Sequence, residues 1–313
     1  MKERVQIGNT DLYVNPVGLG TNTVGGHNIF PDVEEETGRE VVRTALENGI
    51  NFLDTAYMYG MGRSEELIGE VVKERGSRQE LVIASKVSPK IEGKDIVHDN
   101  HPAFLKDEAE KSLKRLGTDY IDLLYIHYPD QKTPEAEAVG ALKELKDEGK
   151  IRAIGISNFS PEQMKAADQD GYVDVYQGEY NLLNRNAEAE IFPYAAERNI
   201  SYVPFFPLAS GLLTGKYTKD TVISGFRESL PYFQEEAFEQ NVEKVENLRS
   251  IAEAKGVDIT NLVLAWYLTR DTIDTIIPGA KRTDQVLSNL KTLDVQLTQE
   301  ESREVERIFQ SSK

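Results

Sequence analysis

From residue 17 onward the chain repeats one pattern eight times: a short β-branched or apolar run, then a longer stretch whose apolar residues recur at helical spacing. The expected strands are Val17 to Gly20, Phe52 to Ala56, Leu81 to Lys86, Ile121 to His127, Ile151 to Ser157, Val173 to Tyr180, Ser201 to Pro207 and Thr275 to Pro278. Between them, Val41, Val42, Ala45 and Leu46 mark one amphipathic helix, and Val139, Leu142 and Leu145 mark another that Gly149 stops. Ser64, followed by Glu65 and Glu66, reads as a helix start with acids in its first turn. Ser160-Pro161-Glu162-Gln163 reads as a capping box with proline at the first helical position. A strand that returns through a helix pairs parallel with its predecessor, and eight such units allow the sheet to close. The expected class is α/β: a single (β/α)8 TIM barrel domain over residues 1–313.

Three stretches fall outside the repeat. Arg4 to Val14, turning at Gly8 to Asp11, reads as a β-hairpin able to plug the N-terminal end of the barrel. Beyond the last barrel helix, near Asp284 to Leu290, Thr298-Gln299-Glu300-Glu301 opens an extra C-terminal helix with its own capping box. The irregular residues 209 to 233 follow the seventh strand, and loops of that length in compact domains tend to be functional.

Charge narrows the function. With 36 basic and 53 acidic residues the net charge is −17, which argues against nucleic-acid and anionic-membrane partners. An anionic cofactor would need a locally basic pocket. Zero cysteines remove thiolate metal sites, disulfides and cysteine nucleophiles, and fit a reducing compartment. Met1 to Gln6 lack the apolar segment of a signal peptide, so the expected location is cytoplasmic. The sequence leaves the oligomeric state open.

In a (β/α)8 barrel the reacting groups sit at the C-terminal ends of the strands, where the loops converge on one pocket. The polar residues there are Asp54, Tyr59 just beyond it, Lys86, His127, Ser157, Asn158 and Gln177. Asp, Tyr, Lys and His come from three consecutive strands and can meet. A phenol is a weak acid at neutral pH, but an ammonium beside it favours the phenolate, and a carboxylate can hold that ammonium charged. Tyr59 is then a proton donor, Lys86 its tuner, Asp54 the anchor, and His127 a donor that orients a carbonyl oxygen. Each residue alone also has a structural reading, as a rim ion pair, a packed aromatic or a core histidine; it is the set that points to chemistry. Gly18, Gly20, Gly25 and Gly26 lack the spacing of a dinucleotide fingerprint. His98-Asp99-Asn100-His101 lacks a third strong metal ligand and reads as a solvated loop.

These residues resemble the aldo-keto reductase family along nearly the whole chain. Gly18 to Thr21, Asp54 to Gly60, Ile151 to Asn158 and Ile277 to Lys281 are similar to its successive signature segments, while Thr21 to His27 and Gln177 to Asn184 resemble its IolS-like bacterial branch. The resemblance implies NADPH-dependent carbonyl reduction of a small molecule, without metal, by a tetrad of Asp54, Tyr59, Lys86 and His127; the branch's tie to inositol utilisation points to polyol- or sugar-like substrates. It also implies a cofactor site. Gly20, Thr21, Asn22 and Asp54 would line it. Ser157, Asn158 and Gln177 would hold the nicotinamide carboxamide, and Phe205 would stack on the ring. Here Phe205-Phe206 replaces the commoner tyrosine-serine pair, keeping the stacking surface but losing a hydroxyl. Phe206, Pro207, Leu208, Ser210, Gly211, Leu213 and Lys216 would lie along the pyrophosphate. Gly279, Ala280, Lys281, Arg282, Gln285 and Asn289 would form the adenosine 2′-phosphate pocket, with Lys216, Lys281 and Arg282 as the basic patch. Two other readings stand beside this one: an NADP-binding regulatory protein like the potassium-channel β-subunits, and an aldolase-type barrel using Lys86 as a Schiff base.

Overall fold

The computed structural model describes residues 3–310. Its strands are β1 (Val5–Gln6), β2 (Tyr13–Val14), β3 (Leu19–Gly20), β4 (Phe52–Asp54), β5 (Val82–Val87), β6 (Pro89–Glu92), β7 (Asp95–His98), β8 (Ile121–Ile126), β9 (Ile151–Ser157), β10 (Val175–Glu179) and β11 (Ser201–Phe205). Its helices are α1 (Glu35–Glu47), α2 (Arg63–Arg75), α3 (Pro102–Leu116), α4 (Glu135–Asp147), α5 (Pro161–Ala167), α6 (Ile191–Arg198), α7 (Glu235–Asn247), α8 (Arg249–Lys255), α9 (Ile259–Tyr267), α10 (Thr283–Leu290) and α11 (Gln299–Phe309). The strands β11-β10-β9-β8-β5-β4-β3 form one curled parallel sheet.

The fold is a (β/α)8 barrel, but its eighth stave differs from the expected strand. Thr275 to Pro278 form no ladder; two parallel bridges, Val17 to Ile276 and Gly20 to Gly279, attach this run and the glycine after it to the segment that carries β3. The cause is the supply of donors. Pro278 has no N–H, so this run contributes isolated bonds: Gly18 N–H to Ile276 O at 2.8 Å and Ile276 N–H to Pro16 O at 3.0 Å. On the other flank Pro204 lacks a donor too, and Tyr202 N–H reaches Thr272 O at 2.8 Å.

Period-two alternation sends one side of every strand inward. Phe52, Val82, Ala84, Leu123, Tyr125, Ala153, Val175, Val203 and Ile277 pack together inside the barrel, and Ile7, Leu12 and Val14 of the β1–β2 hairpin join them, so the hairpin plugs the N-terminal end as expected. A second core lies between the sheet and the helices. Following the inward rows to their C-terminal ends gives Asp54, Lys86, Ser157, Gln177 and Phe205. The barrel thus sorts apolar residues to its floor and polar ones to its mouth.

Two local expectations are corrected and a third is extended. Ser64 does not cap α2, which starts at Arg63 after Gly62 in a left-handed conformation; the Ser64 hydroxyl bonds instead with Thr55 and Thr21 in the interior. His98, read as the start of a solvated loop, instead ends β7 of the β6–β7 hairpin. Residues 209 to 233 do form a long excursion, built of short 3₁₀ turns, but α7, α8 and α9 follow it before the chain returns to the barrel.

Candidate active site

Asp54 and Lys86 meet at the top of the barrel. Lys86 Nζ donates to Asp54 Oδ1 at 2.6 Å and to Thr55 O at 2.8 Å, and the lysine and aspartate side chains are 0% and 1% exposed, respectively. Burial lowers the Lys86 pKa, while Asp54 and then Glu65 pull it back up. The ammonium lies 5.4 Å from the centre of the Tyr59 ring and 5.5 Å from that of Tyr125. Tyr125 fills the barrel beneath it because position 155 is glycine: a Cβ there would fall 2.2 Å from Tyr125 Cδ1.

Tyr59 rides on a turn clamped to the first βα loop. Asn28 Oδ1 accepts from Gly60 N–H at 2.7 Å and Asn28 Nδ2 donates to Met58 O at 3.0 Å. Gly60 has φ +67°, and a Cβ there would stand 1.9 Å from Gly25 O, so this turn admits only glycine. The Tyr59 phenol is not lowered, contrary to expectation. Burial first, then the charge of Asp54 and the neighbouring Tyr128, push it well above 10, which holds the hydroxyl protonated.

His127 is buried, and burial together with Lys86 holds its pKa well below 6.5, so the imidazole is neutral. Its ring stacks on Tyr128 at 4.6 Å, and Tyr128 stacks in turn on His98 at 4.6 Å. His98, read from sequence as part of a solvated loop, is therefore a wall residue at the end of β7. Among the described residues no group of His, Cys, Asp or Glu is placed to hold a metal ion.

The residues expected around the nicotinamide converge on the same mouth. Ser157 is buried, and Asn158, at φ +64°, donates from Nδ2 to His127 O and Ser157 Oγ, each at 3.0 Å. Gln177 Nε2 donates to Asp54 Oδ2 at 2.9 Å. Phe205 and Phe206 stand edge to face at 5.3 Å. From the first strand, Thr21 Oγ1 donates to Asp54 O at 2.9 Å, and Gly20 is packed so that a Cβ would meet Ile277 O at 2.6 Å. A Cβ on Gly279 would lie 3.2 Å from Asn22 Oδ1, and Ala280 O accepts from Thr23 Oγ1 at 2.6 Å.

Beyond Phe205 the backbone is contorted. Phe206, Ala209 and Ser210 have φ of +51°, +45° and +55° and Gly211 has +94°; for the three non-glycine residues this conformation costs of order 1–3 kcal/mol each. Bonds to Pro207 O from Tyr267 at 2.8 Å and to Leu208 O from Gly211 and Leu213 N–H hold the loop there. Ser210 Oγ is buried without a hydrogen-bond partner among the described residues. Close by, Lys216, Arg227 and Lys281 gather: burial lowers the pKa of both lysines, Arg227 lowers both further, and Lys281 also acts on Lys216. Three cations held together in a chain of net charge −17 form the local basic pocket that an anionic ligand needs. Arg282 does not join them. It is 62% exposed and paired with Asp284 at 3.0 Å, so only Lys281 of that expected pair faces the pocket. Gln285 Oε1 accepts from Lys281 N–H at 2.7 Å, and Asn289 is buried on α10.

A model of the aldo/keto reductase family matches residues 16–310. The chain belongs to that family. It is 34% identical over 313 residues to the aldo-keto reductase YhdN of Bacillus subtilis, covering 99% of this chain and 94% of that protein, a relative on the IolS-like branch. It is 32% identical over 310 residues to an NADH-specific methylglyoxal reductase of Escherichia coli, covering 95% of both. Among solved structures it superposes on a glycerol dehydrogenase from Gluconobacter oxydans with a TM-score of 0.91 and 34% identity, covering 98% of this chain and 94% of that one. As an aldo-keto reductase the chain is an oxidoreductase of nicotinamide cofactors. Sequence reasoning missed two residues at this site. Arg227 lay in the long excursion without a motif around it, and His98 belonged to an unforeseen hairpin; only the general rule that long loops carry function pointed toward the first.

Proposed function

We propose that this aldo-keto reductase, as one domain over residues 1–313, reduces a small aldehyde or ketone to its alcohol with NADPH, reversibly and in the cytoplasm. One observation carries the reading: a buried Lys86–Asp54 pair lies beside the ring of a protonated Tyr59, with neutral His127 across the same mouth. The cofactor, when bound, supplies hydride to the carbonyl carbon. Tyr59 gives its proton to the carbonyl oxygen. The phenolate left behind is stabilised by the ammonium of Lys86, which Asp54 keeps charged. His127, neutral at working pH, has one N–H to offer the oxygen and orients it. Lys86 thus acts on the product of proton transfer rather than on the resting phenol.

The residues fit a dinucleotide. The orphaned Ser210 hydroxyl and the Lys216, Arg227 and Lys281 cluster suit its phosphates, and Phe205 offers a stacking face. Gln177, held by one N–H to Asp54, keeps its second N–H and its Oε1 for the carboxamide. The preference for NADPH rests on Lys281, and the NADH-specific relative makes a direct comparison of the two cofactors necessary. Zero cysteines support the cytoplasmic placement, and no helix among the described residues is long and apolar enough to cross a membrane.

Purified protein, NADPH and a panel of small aldehydes and ketones should consume the cofactor's near-ultraviolet absorbance. Folded protein that turns over none of them, while quenching NADPH fluorescence tightly, would instead favour a cofactor-binding regulatory role.

A further inference from the structure

Behind the tetrad, on the outer face of the sheet, lies a buried ion network that the reaction does not touch. Glu65 on α2 is 0% exposed; one carboxylate oxygen accepts from Ser85, the residue before Lys86, and the other pairs with Arg115 of α3. Arg115 also donates to Glu108 at 2.7 Å and to Ser112 at 3.0 Å. Its guanidinium lies 5.0 Å from the Tyr57 ring centre, and Gly62 packs on it so tightly that a Cβ would meet Arg115 Cδ at 2.5 Å. Tyr57 and Gly62 flank Tyr59. One ion pair therefore touches both the strand that carries the ammonium and the turn that carries the phenol.

We propose that Glu65 and Arg115 are positioning residues: Glu65 holds Lys86 charged through the sheet, and Arg115 braces the 57–62 turn that presents Tyr59. The proposal rests on the assignment of Tyr59 and Lys86 made above. Stability alone gives little reason for a buried ion pair, since an apolar pair of similar volume is often as stable or more so. What it supplies is a fixed field and a rigid contact at two defined places. The groups facing Lys86 are Asp54 from β4, Tyr59 and Tyr125 at its sides, His127 across the mouth and Glu65 from behind. Those facing Glu65 are Ser85 and Arg115, and Glu108 shares that arginine. The carboxylate of Glu65 acts on the lysine in the same sense as Asp54, so its loss makes the charged form of Lys86 less favourable.

The test is a titration of Lys86 by ¹³C NMR in lysine-labelled protein, with its signal assigned through Lys86→Met. Glu65→Gln removes the carboxylate behind the lysine and leaves Arg115 paired with Glu108 alone, and the Lys86 midpoint falls. Glu65→Gln combined with Arg115→Met removes both charges, and the midpoint climbs part of the way back. A structural role alone predicts the reverse, with the double variant at least as perturbed as the single one. An unmoved midpoint in Glu65→Gln overturns the electrostatic half. In the double variant kcat should still fall about tenfold or more with KM little changed, because the Tyr59 turn has lost its brace; wild-type kcat there overturns the positioning half. Turnover surviving in Lys86→Met or Tyr59→Phe would sink the assignment on which the proposal rests, while leaving the titration result intact.

Discussion

Replacing Asp54 by Asn and Lys86 by Met, singly and together, isolates what the buried pair contributes. At 2.6 Å the two charges attract by about 6 kcal/mol at an effective dielectric of about 20. Each ion loses several kcal/mol of hydration on burial, so the pair as a whole is close to neutral for stability. Either single substitution strands the remaining charge. Lys86 without Asp54 keeps only the Thr55 carbonyl at 2.8 Å, and Asp54 without Lys86 keeps only the Gln177 amide at 2.9 Å among side chains. Each single variant should lose about 3–5 kcal/mol, whereas the double variant should stay within about 2 kcal/mol of wild type. Urea unfolding followed through Trp266, the one tryptophan and fully buried, gives the cycle. The sign of the pH dependence follows from the lysine. Burial depresses its folded-state pKa below 10.5, and Asp54 opposes that. A depressed lysine costs stability below its folded pKa, and the cost is relieved as pH rises toward the unfolded value. Asp54→Asn should therefore regain stability from neutral to alkaline pH, and more than wild type does. A coupling energy under about 1 kcal/mol would refute the reasoning, since it would mean that neither charge is stranded by loss of the other.

Other outcomes follow from the same geometry. Lys281→Ala should weaken NADPH more than NADH in fluorescence titrations, while Arg282→Ala, removing an exposed pair with Asp284, should change neither; equal losses for both cofactors in Lys281→Ala would remove the 2′-phosphate assignment. Gly155→Ala drives a methyl into the Tyr125 ring, and should cost about 1–3 kcal/mol in urea unfolding and disturb the floor beneath Lys86; a neutral substitution would show that Tyr125 can move. Because burial holds His127 neutral well below pH 6.5, the kcat/KM profile should show no acid limb from it between pH 6 and 8, and its appearance in wild type but not in His127→Gln would contradict that.

Much of this architecture was legible because the barrel repeats a strong local signal. Seven staves and the plugging hairpin declare themselves through period-two and helical patterning, and the inward rows led directly to Asp54, Lys86 and Gln177. The eighth stave misled because apolar character marks Thr275 to Pro278 as sheet-like, whereas Pro278 and sparse donors reduce it to bridges. Hydrogen-bond partners were the harder part. Sequence offered Arg282 to a phosphate, yet that side chain pairs with its neighbour Asp284, and the sequence held no sign that Gln177 bonds Asp54, choices that depend on side-chain reach of a few ångströms. The phenol of Tyr59 was misjudged for a related reason. Its neighbours Lys86 and Asp54 were foreseen, but the burial that raises the phenol, with Asp54 adding to it, is a property of the folded mouth. Glu65 looked like a first-turn acid until α3 brought Arg115 to it.

The most direct measurement compares wild type with Tyr59→Phe in two assays on the same protein, NADPH binding by fluorescence and aldehyde reduction by absorbance. Removal of one hydroxyl should leave the cofactor affinity within about twofold and lower kcat by about a hundredfold or more. A Tyr59→Phe protein that still reduces aldehydes at the wild-type rate, or one that loses NADPH instead of turnover, would contradict the assignment of this phenol as the proton donor.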